Sequence, residues 1–196
     1  MPTSQHLATL AGKNVHLRAP RASDAKAFTS AARASASFHR GFVAPPLTSV
    51  RFLAFARRNV QSKTMPTHVG FLVVRNDDNA LVGVFTFSEI VRGAFQSAYL
   101  GYYAFAPHAG SGCMSEGLAL ALDFAFRIQK LHRVEVNIQP NNARSLALVE
   151  RAGFTREGYS RRYVKIAGRW RDHVRYAMLA EDWRTLRRDH SRGGKL

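Results

Sequence analysis

Residues 101–116 read GYYAFAPHAGSGCMSE, and the pair Gly110 and Gly112 around Ser111 is the first place where residue types and spacing suggest chemistry. Ahead of the pair, residues 99–105 are aromatic and β-favouring, and the run breaks at Pro107, which cannot donate to a ladder. Behind it, residues 114–130 are rich in Ala and Leu and predict a helix. Strand, glycine turn and helix together aim backbone N–H groups at an anion. Absent Cβ atoms permit close approach, and the helix N-terminus carries roughly half a positive charge. A dinucleotide fingerprint would need a third glycine where Ser115 stands, and a Walker loop would need Gly-Lys-Ser/Thr, which is missing. The amides of His108, Ala109, Gly110, Ser111, Gly112, Cys113 and Met114 are the candidate phosphate donors. Cys113 reads as a packing residue rather than a nucleophile. Glu116, in the first helical turn, reads as a partner of the dipole rather than an acid catalyst.

A second set of chemical groups lies in residues 132–139. Val134, Val136 and Ile138 face one way, and Glu135, Asn137 and Gln139 face the other. A central strand covered by helices is apolar on both faces, so a polar face marks a wet edge or a cleft. Glu135 is therefore a candidate base, with Glu89, at the end of an earlier strand, as second choice. An ion pair with a neighbouring arginine is the alternative for both. Pro140, Asn141 and Asn142 then open a helix over 143–151, capped by an Asn and closed by Gly153 in the left-handed conformation.

The elements that must position these groups follow from pattern and turn chemistry. Residues 14–19 alternate as a first strand, and Ser23 can cap a helix over 24–34. Residues 35–46 form a Ser/Ala/Pro loop, and 49–59 form a helix with Phe52, Leu53, Phe55 and Ala56 on one side, a spacing typical of core. Residues 69–74 and 80–90 flank RNDDNA and predict an antiparallel hairpin. Residues 154–167 and 169–179 are long strands joined at Gly168, followed by a short helix and a basic tail. No repeat or interdomain linker is visible, so the expected division is one domain over 1–184 and a tail over 185–196.

Composition narrows the classes. At 196 residues the chain can bury a sizeable core as one domain. No apolar run approaches the length of a membrane span, and the start lacks a secretory pattern, so the expectation is cytoplasmic, with no membrane partner. A single cysteine excludes an internal disulfide and a thiolate-rich zinc site, and no metal is expected. Lys plus Arg number 29 against 13 for Asp plus Glu, a net charge of +16, for which nucleic acid, a ribosomal surface, an anionic membrane surface or an anionic cofactor are the candidate partners. An arginine-weighted composition bias is the plainer explanation.

Several ordered stretches, GYYAFAPHAGSGCMSEGL, HRVEV, PNNARS, ERAGF, REGYSRR and GRWRDHVRYAML, together resemble the GNAT acetyltransferases, specifically the RimJ/RimL-like ribosomal-protein-alanine N-acetyltransferases. Weaker echoes, VHLRAPRASDAKAF and LVGVFTFSEI, extend the resemblance over almost the whole chain. The resemblance implies an α/β (α+β) fold, with a mostly antiparallel, V-splayed sheet of six to seven strands and helices on both faces. It implies acetyl-CoA as cosubstrate, with direct transfer in a ternary complex. The pyrophosphate would lie on the amides of the glycine loop. The pantetheine arm would pair with the backbone of Tyr102, Tyr103 and Ala104, with an oxyanion donor on the same strand.

Residues matching the family's site divide into those that agree and those that depart. The family commonly carries an Arg before the first Gly and a Lys between the pair, where this chain has Ala109 and Ser111. Many relatives place an acidic Tyr four residues before the Gly of the GF pair, which here is Val149. In the RimJ/RimL-like branch a Ser of an N-x-x-S step substitutes, and Asn142 to Ser145 supplies it. Ser145 is thus the candidate to stabilise or protonate the thiolate, and Asn142 a cosubstrate contact. A Ser145 hydroxyl bonded back to the helix backbone is the alternative. Phe38, His39, Phe42 and Phe52 would border the acceptor site. The acceptor implied is a protein N-terminal α-amine, possible in a ribosomal protein, and its pKa of about 7.7–8.0 would also let water take the proton. A small amine (antibiotic, polyamine or amino acid) and a non-catalytic acyl-CoA or RNA-associated module are the alternatives. A basic face of Arg156, Arg161, Arg162, Lys165, Arg169 and Arg171 could dock on ribosomal RNA, and the chain would be a monomer or homodimer.

Overall fold

The computed structural model describes residues 9–59 and 66–193. One mixed sheet runs through it, in the order β1 (Leu10–Ala11), β2 (Val15–Arg18), β3 (Val69–Arg75), β4 (Leu81–Val91), β5 (Ser97–Ala104), β6 (Arg133–Ile138), β8 (Arg169–Leu179), β7 (Thr155–Ile166). That is eight strands where the sequence predicts six to seven. The short β1 is the addition, formed where Leu10 and Ala11 pair with Leu17 and His16.

Every neighbouring pair is antiparallel except β5 and β6. A parallel pair needs a crossover, and α4 (Cys113–Asp123) supplies it, continuing into a π-helical turn at Phe124–Ile128. The parallel ladder is brief. It runs from Ser97↔Arg133 to Tyr99↔Glu135 and stops, while β5 continues to Ala104 and β6 to Ile138. The two strands part from there, which makes the V expected of this sheet.

Two apolar layers hold the sheet, and alternation along the central strands feeds both. Phe71, Val73, Phe85 and Phe87 pack in the larger core with Leu118, Leu122 and Trp183. Their sequence neighbours Leu72, Val74 and Val84 pack in the smaller core with Phe28, Phe52 and Phe105. The larger core is closed by α4, α5 (Ala143–Arg151) and α6 (Ala180–Gly193), and the smaller by α1 (Ala25–Ala34) and α3 (Ser49–Asn59).

Local departures from the sequence reading have physical causes. Ser23 does not cap α1; the preceding turn is held by Asp24, whose carboxylate takes two bonds from Arg18, at 2.7 and 2.8 Å, and one from the Arg21 amide at 2.7 Å. The loop after α1 contains a single helical turn, α2 (Ala36–His39), and Ser35 Oγ accepts the Ala106 amide at 2.9 Å. Phe52 is fully buried, 4.5 Å from the Phe28 ring, so its stripe is core and not acceptor wall. α6 runs on through most of the segment read as a tail. Trp183 Nε1 donates to Asp123 at 3.0 Å and Arg187 pairs with the same carboxylate at 3.2 Å, fastening α6 to α4. No helix of the described residues is long and apolar enough to cross a membrane.

Candidate active site

The parting of β5 and β6 opens a cleft of about 1190 Å³. On one side it meets the glycine turn. Gly110 and Gly112 have φ of +84° and +82°, a conformation that favours glycine. The turn uses some of its own donors: the amides of His108, Ala109 and Ser111 bond to the carbonyls of Phe105, Ala106 and His108 at 3.1, 3.2 and 3.4 Å. Those three are therefore removed from the expected set of phosphate donors, because the helical turn at 106–108 consumes them. The amides of Gly110, Gly112, Cys113 and Met114 have no such partner and stand at the start of α4. Cys113 itself is buried in the core, which fits a packing role. Glu116 accepts from the Asn14 amide and side chain at 2.9 and 2.8 Å and acts as a fastener.

Positive charge comes from elsewhere. Arg144 and Arg151 of α5 both line the cleft, and Arg144 also lies over the Phe38 ring, 5.2 Å from its centroid. Sequence reading did not assign either; an amphipathic helix starting at the cleft was the available signal.

Along the middle of the cleft, Tyr102, Tyr103 and Ala104 lie beyond the last parallel pair, so among the described residues β5 has no strand partner there on the β6 side, although the Ala104 carbonyl is taken by His39. Tyr102 Oη donates to the Ser145 carbonyl at 3.1 Å, and burial pushes its phenol well up against the opposing effect of that bond. The Tyr103 hydroxyl is buried without a partner among the described residues, and burial pushes its phenol up as well. Asn142 caps α5: its Oδ1 accepts the Ser145 amide at 3.3 Å. The cap consumes that oxygen and leaves the amide nitrogen for a ligand. Ser145 lines the cleft, and its hydroxyl makes no hydrogen bond to a described residue. The back-bonded alternative is not the arrangement present.

The far side of the cleft is walled by Phe38, His39 and Phe42, three of the residues expected to border an acceptor site. Gln139 Nε2 donates to the Gly41 carbonyl at 2.7 Å and ties this wall to the end of β6. His39 bonds to the Ala104 carbonyl at 2.8 Å through Nε2, which must therefore carry the hydrogen, and its Nδ1 is sealed inside with no partner among the described residues. Burial lowers the His39 pKa, outweighing that bond.

Neither candidate base is in the cleft. Glu135 is on the predicted polar face, but its carboxylate is held by Arg133 Nε at 2.9 Å, and Arg133 also grips Glu157 from β7. The ion-pair alternative is the one realised. Glu89 sits at the irregular end of β4 with φ +49°, its side chain 66% exposed and 3.8 Å from His68. Among the described residues, no carboxylate lines the cleft. The imidazoles among its described lining residues are His39 and His173. His173 Nδ1 donates to the Arg171 carbonyl at 3.0 Å, and its ring lies 5.9 Å from that of Tyr163. Sequence reading passed over it inside GRWRDHVRYAML, where alternation separates Asp172 from His173 but does not say which faces a cleft. No cluster of His, Cys, Asp or Glu among the described residues could hold a metal.

Comparison with known proteins fits this geometry. The family profile for the acetyltransferase (GNAT) domain matches residues 14–155. The [ribosomal protein uS5]-alanine N-acetyltransferase of Escherichia coli is 43% identical over 107 residues, 55% of this chain and 55% of that relative's own length. Among solved structures, Mycobacterium smegmatis RimJ in complex with CoA-disulfide superposes with a TM-score of 0.80 at 28% identity, covering 89% of this chain and 85% of that one. The ribosomal-protein-S5-alanine acetyltransferase of Vibrio fischeri has the same fold, with a TM-score of 0.80 at 22% identity over 90% of this chain and 98% of that one. A domain match over most of the chain, on the strand, glycine turn and helix that build the cleft, means that the chain belongs to the GNAT acetyltransferase family.

Proposed function

We propose that the protein is an acetyl-CoA-dependent N-acetyltransferase whose acceptor is the N-terminal α-amine of a protein, in the manner of the ribosomal-protein-alanine acetyltransferases it resembles. The observation that carries this reading is the break in pairing after Tyr99↔Glu135. It leaves one long cleft with an anion-binding turn at one end, free strand backbone along the middle and an aromatic wall at the other. The free amides of the glycine turn, with Arg144 and Arg151, suit the phosphates of CoA; the β5 backbone suits the amides of its pantetheine arm. Ser145 Oγ, unbonded and lining the cleft, suits the departing thiolate.

The acceptor end favours a peptide over a polyamine. A polycation would be held by carboxylates, and none of the described lining residues is acidic. An α-amine needs only to lose one proton, and its pKa of about 7.7–8.0 makes that easy near neutrality. The exposed arginines of the β7–β8 hairpin, with Trp170 at 58% exposure, support docking on a ribosomal surface. Binding there would weaken steeply with salt.

The test is acetyl-CoA binding by calorimetry, followed in the same sample by CoA release on adding peptides with a free N-terminal Ala or Ser. Peptide-dependent release supports the reading. Release with small amines alone would move the acceptor to that class. Binding without release from any amine would sink the enzyme reading.

A further inference from the structure

With no acidic residue among the described residues that line the cleft, the proton of the incoming ammonium needs another destination. We propose that His173 is the general base of the acetyl transfer, taking that proton on Nε2; this rests on the transferase reading above.

Position comes first. β8 pairs with β6 so that Val174 faces Ile138, which brings His173 beside Gln139 at the open end of β6, past the point where β5 and β6 part. Val174 and Tyr176 belong to the large core, so the alternate residues His173 and Arg175 face the other way, with Asn137 and Gln139. His173 thus lies on the cleft face that also holds the aromatic acceptor wall.

The tautomer is fixed by a neighbour. A carbonyl only accepts, so Nδ1 carries the hydrogen that reaches the Arg171 oxygen at 3.0 Å. Nε2 then carries the lone pair. No described residue bonds to it, and it is not among the sealed unpartnered atoms, so it is open to the cleft. His39 differs on this point: its free Nδ1 is sealed, so no acceptor can touch it without movement of the wall.

The surroundings keep the base neutral. Burial lowers the His173 pKa, against smaller opposing effects from the Arg171 carbonyl and Asp172. Asp172 is itself engaged on the other side, by the Arg162 amide at 2.7 Å and the Tyr159 hydroxyl at 2.5 Å. On its face or lining the same cleft are Tyr163 from β7, the amides Asn137 and Gln139 from β6, Arg171 and Arg175 from its own strand, and His39, Arg144 and Arg151. None of these is an anion, and Glu135, farther along the same face of β6, is held by Arg133. The ammonium passes one proton to Nε2, and the freed lone pair forms the C–N bond as the thioester C–S bond breaks. CoA leaves as a thiolate and takes up the second proton that the nitrogen sheds as the amide forms, relayed through the Ser145 hydroxyl or solvent, and the imidazolium returns its proton to solvent.

The test compares wild type with His173→Asn, whose side-chain amide can still donate to the Arg171 carbonyl, and with His173→Gln in case Asn folds poorly. Acetyl-CoA affinity by calorimetry is expected to stay within about twofold, while kcat with an N-terminal Ala peptide at pH 7 falls about a hundredfold. The loss should shrink as pH rises above about 8, where the peptide amine arrives already neutral. A merely structural histidine would give the same loss at every pH. An unchanged kcat, or a loss that does not vary with pH, would overturn the assignment and leave the transferase reading standing. A wild type that binds acetyl-CoA yet acetylates no amine would overturn that reading and the assignment with it.

Discussion

Tyr102 Oη donates a hydrogen bond of 3.1 Å to the backbone carbonyl of Ser145, joining β5 to the first turn of α5 across the cleft. The bond spans the gap that the parting of β5 and β6 opens, and it fixes the residue proposed to meet the leaving thiolate. Position and chemistry are separable here, because the tyrosine holds the Ser145 backbone and leaves its hydroxyl free.

Tyr102→Phe should therefore cost about 1 kcal/mol of stability, because the bond that joins β5 to α5 at the Ser145 carbonyl is lost in a buried setting. The melting temperature should fall by about 2–4 °C. Acetyl-CoA binding should weaken in step as α5 loosens, and a thermal scan beside calorimetry checks both.

Ser145→Ala should separate the hydroxyl from the helix. The Asn142 cap reaches the Ser145 backbone amide and not its side chain, so stability should stay within about 0.5 kcal/mol of wild type. The acetyl-transfer rate should drop at least tenfold. Asn142→Ala should do the reverse to stability, costing about 1 kcal/mol for the lost cap. Denaturant midpoints measured beside steady-state rates distinguish the two.

Gly112→Ala tests the anion turn. Nothing lies within 4 Å of where the added Cβ would sit, so no clash follows, but φ of +82° imposes about 1–2 kcal/mol of backbone strain. The relaxed turn would re-aim the free amides at the start of α4. Acetyl-CoA affinity should fall more than tenfold, read by calorimetry, with β-sheet signal by circular dichroism unchanged.

Glu116 predicts a pH dependence. Burial pushes its carboxyl up, but bonds from the Asn14 amide and side chain outweigh this and hold it below the ordinary range. The folded value thus lies under the unfolded one of about 4.3, so the stabilisation is complete above that pH and lost as pH falls through the folded value. Glu116→Gln should have a lower urea midpoint than wild type at pH 7. The gap should narrow as the pH drops below about 4.

Much of the frame was legible in the sequence because its signals are local. The glycine spacing placed the turn, the alternation over 132–139 placed a polar face on β6, and the capping amide before Ser145 placed the start of α5. The partners of those faces were not legible. Glu135 reads as a base until Arg133, two residues back on the same face of β6, takes its carboxylate while the sheet brings Glu157 of β7 to that same arginine. Phe52 has the spacing of a core residue but reads as an acceptor border as well until Phe28 covers it. His173 carries no signal of its own; it gains the cleft because the β6–β8 register sets Val174 against Ile138 and turns the histidine to the open face. Periodicity along a chain fixes which residues share a face. Which faces meet depends on strand order and register, which are set by contacts between distant segments, and those only the tertiary structure decided.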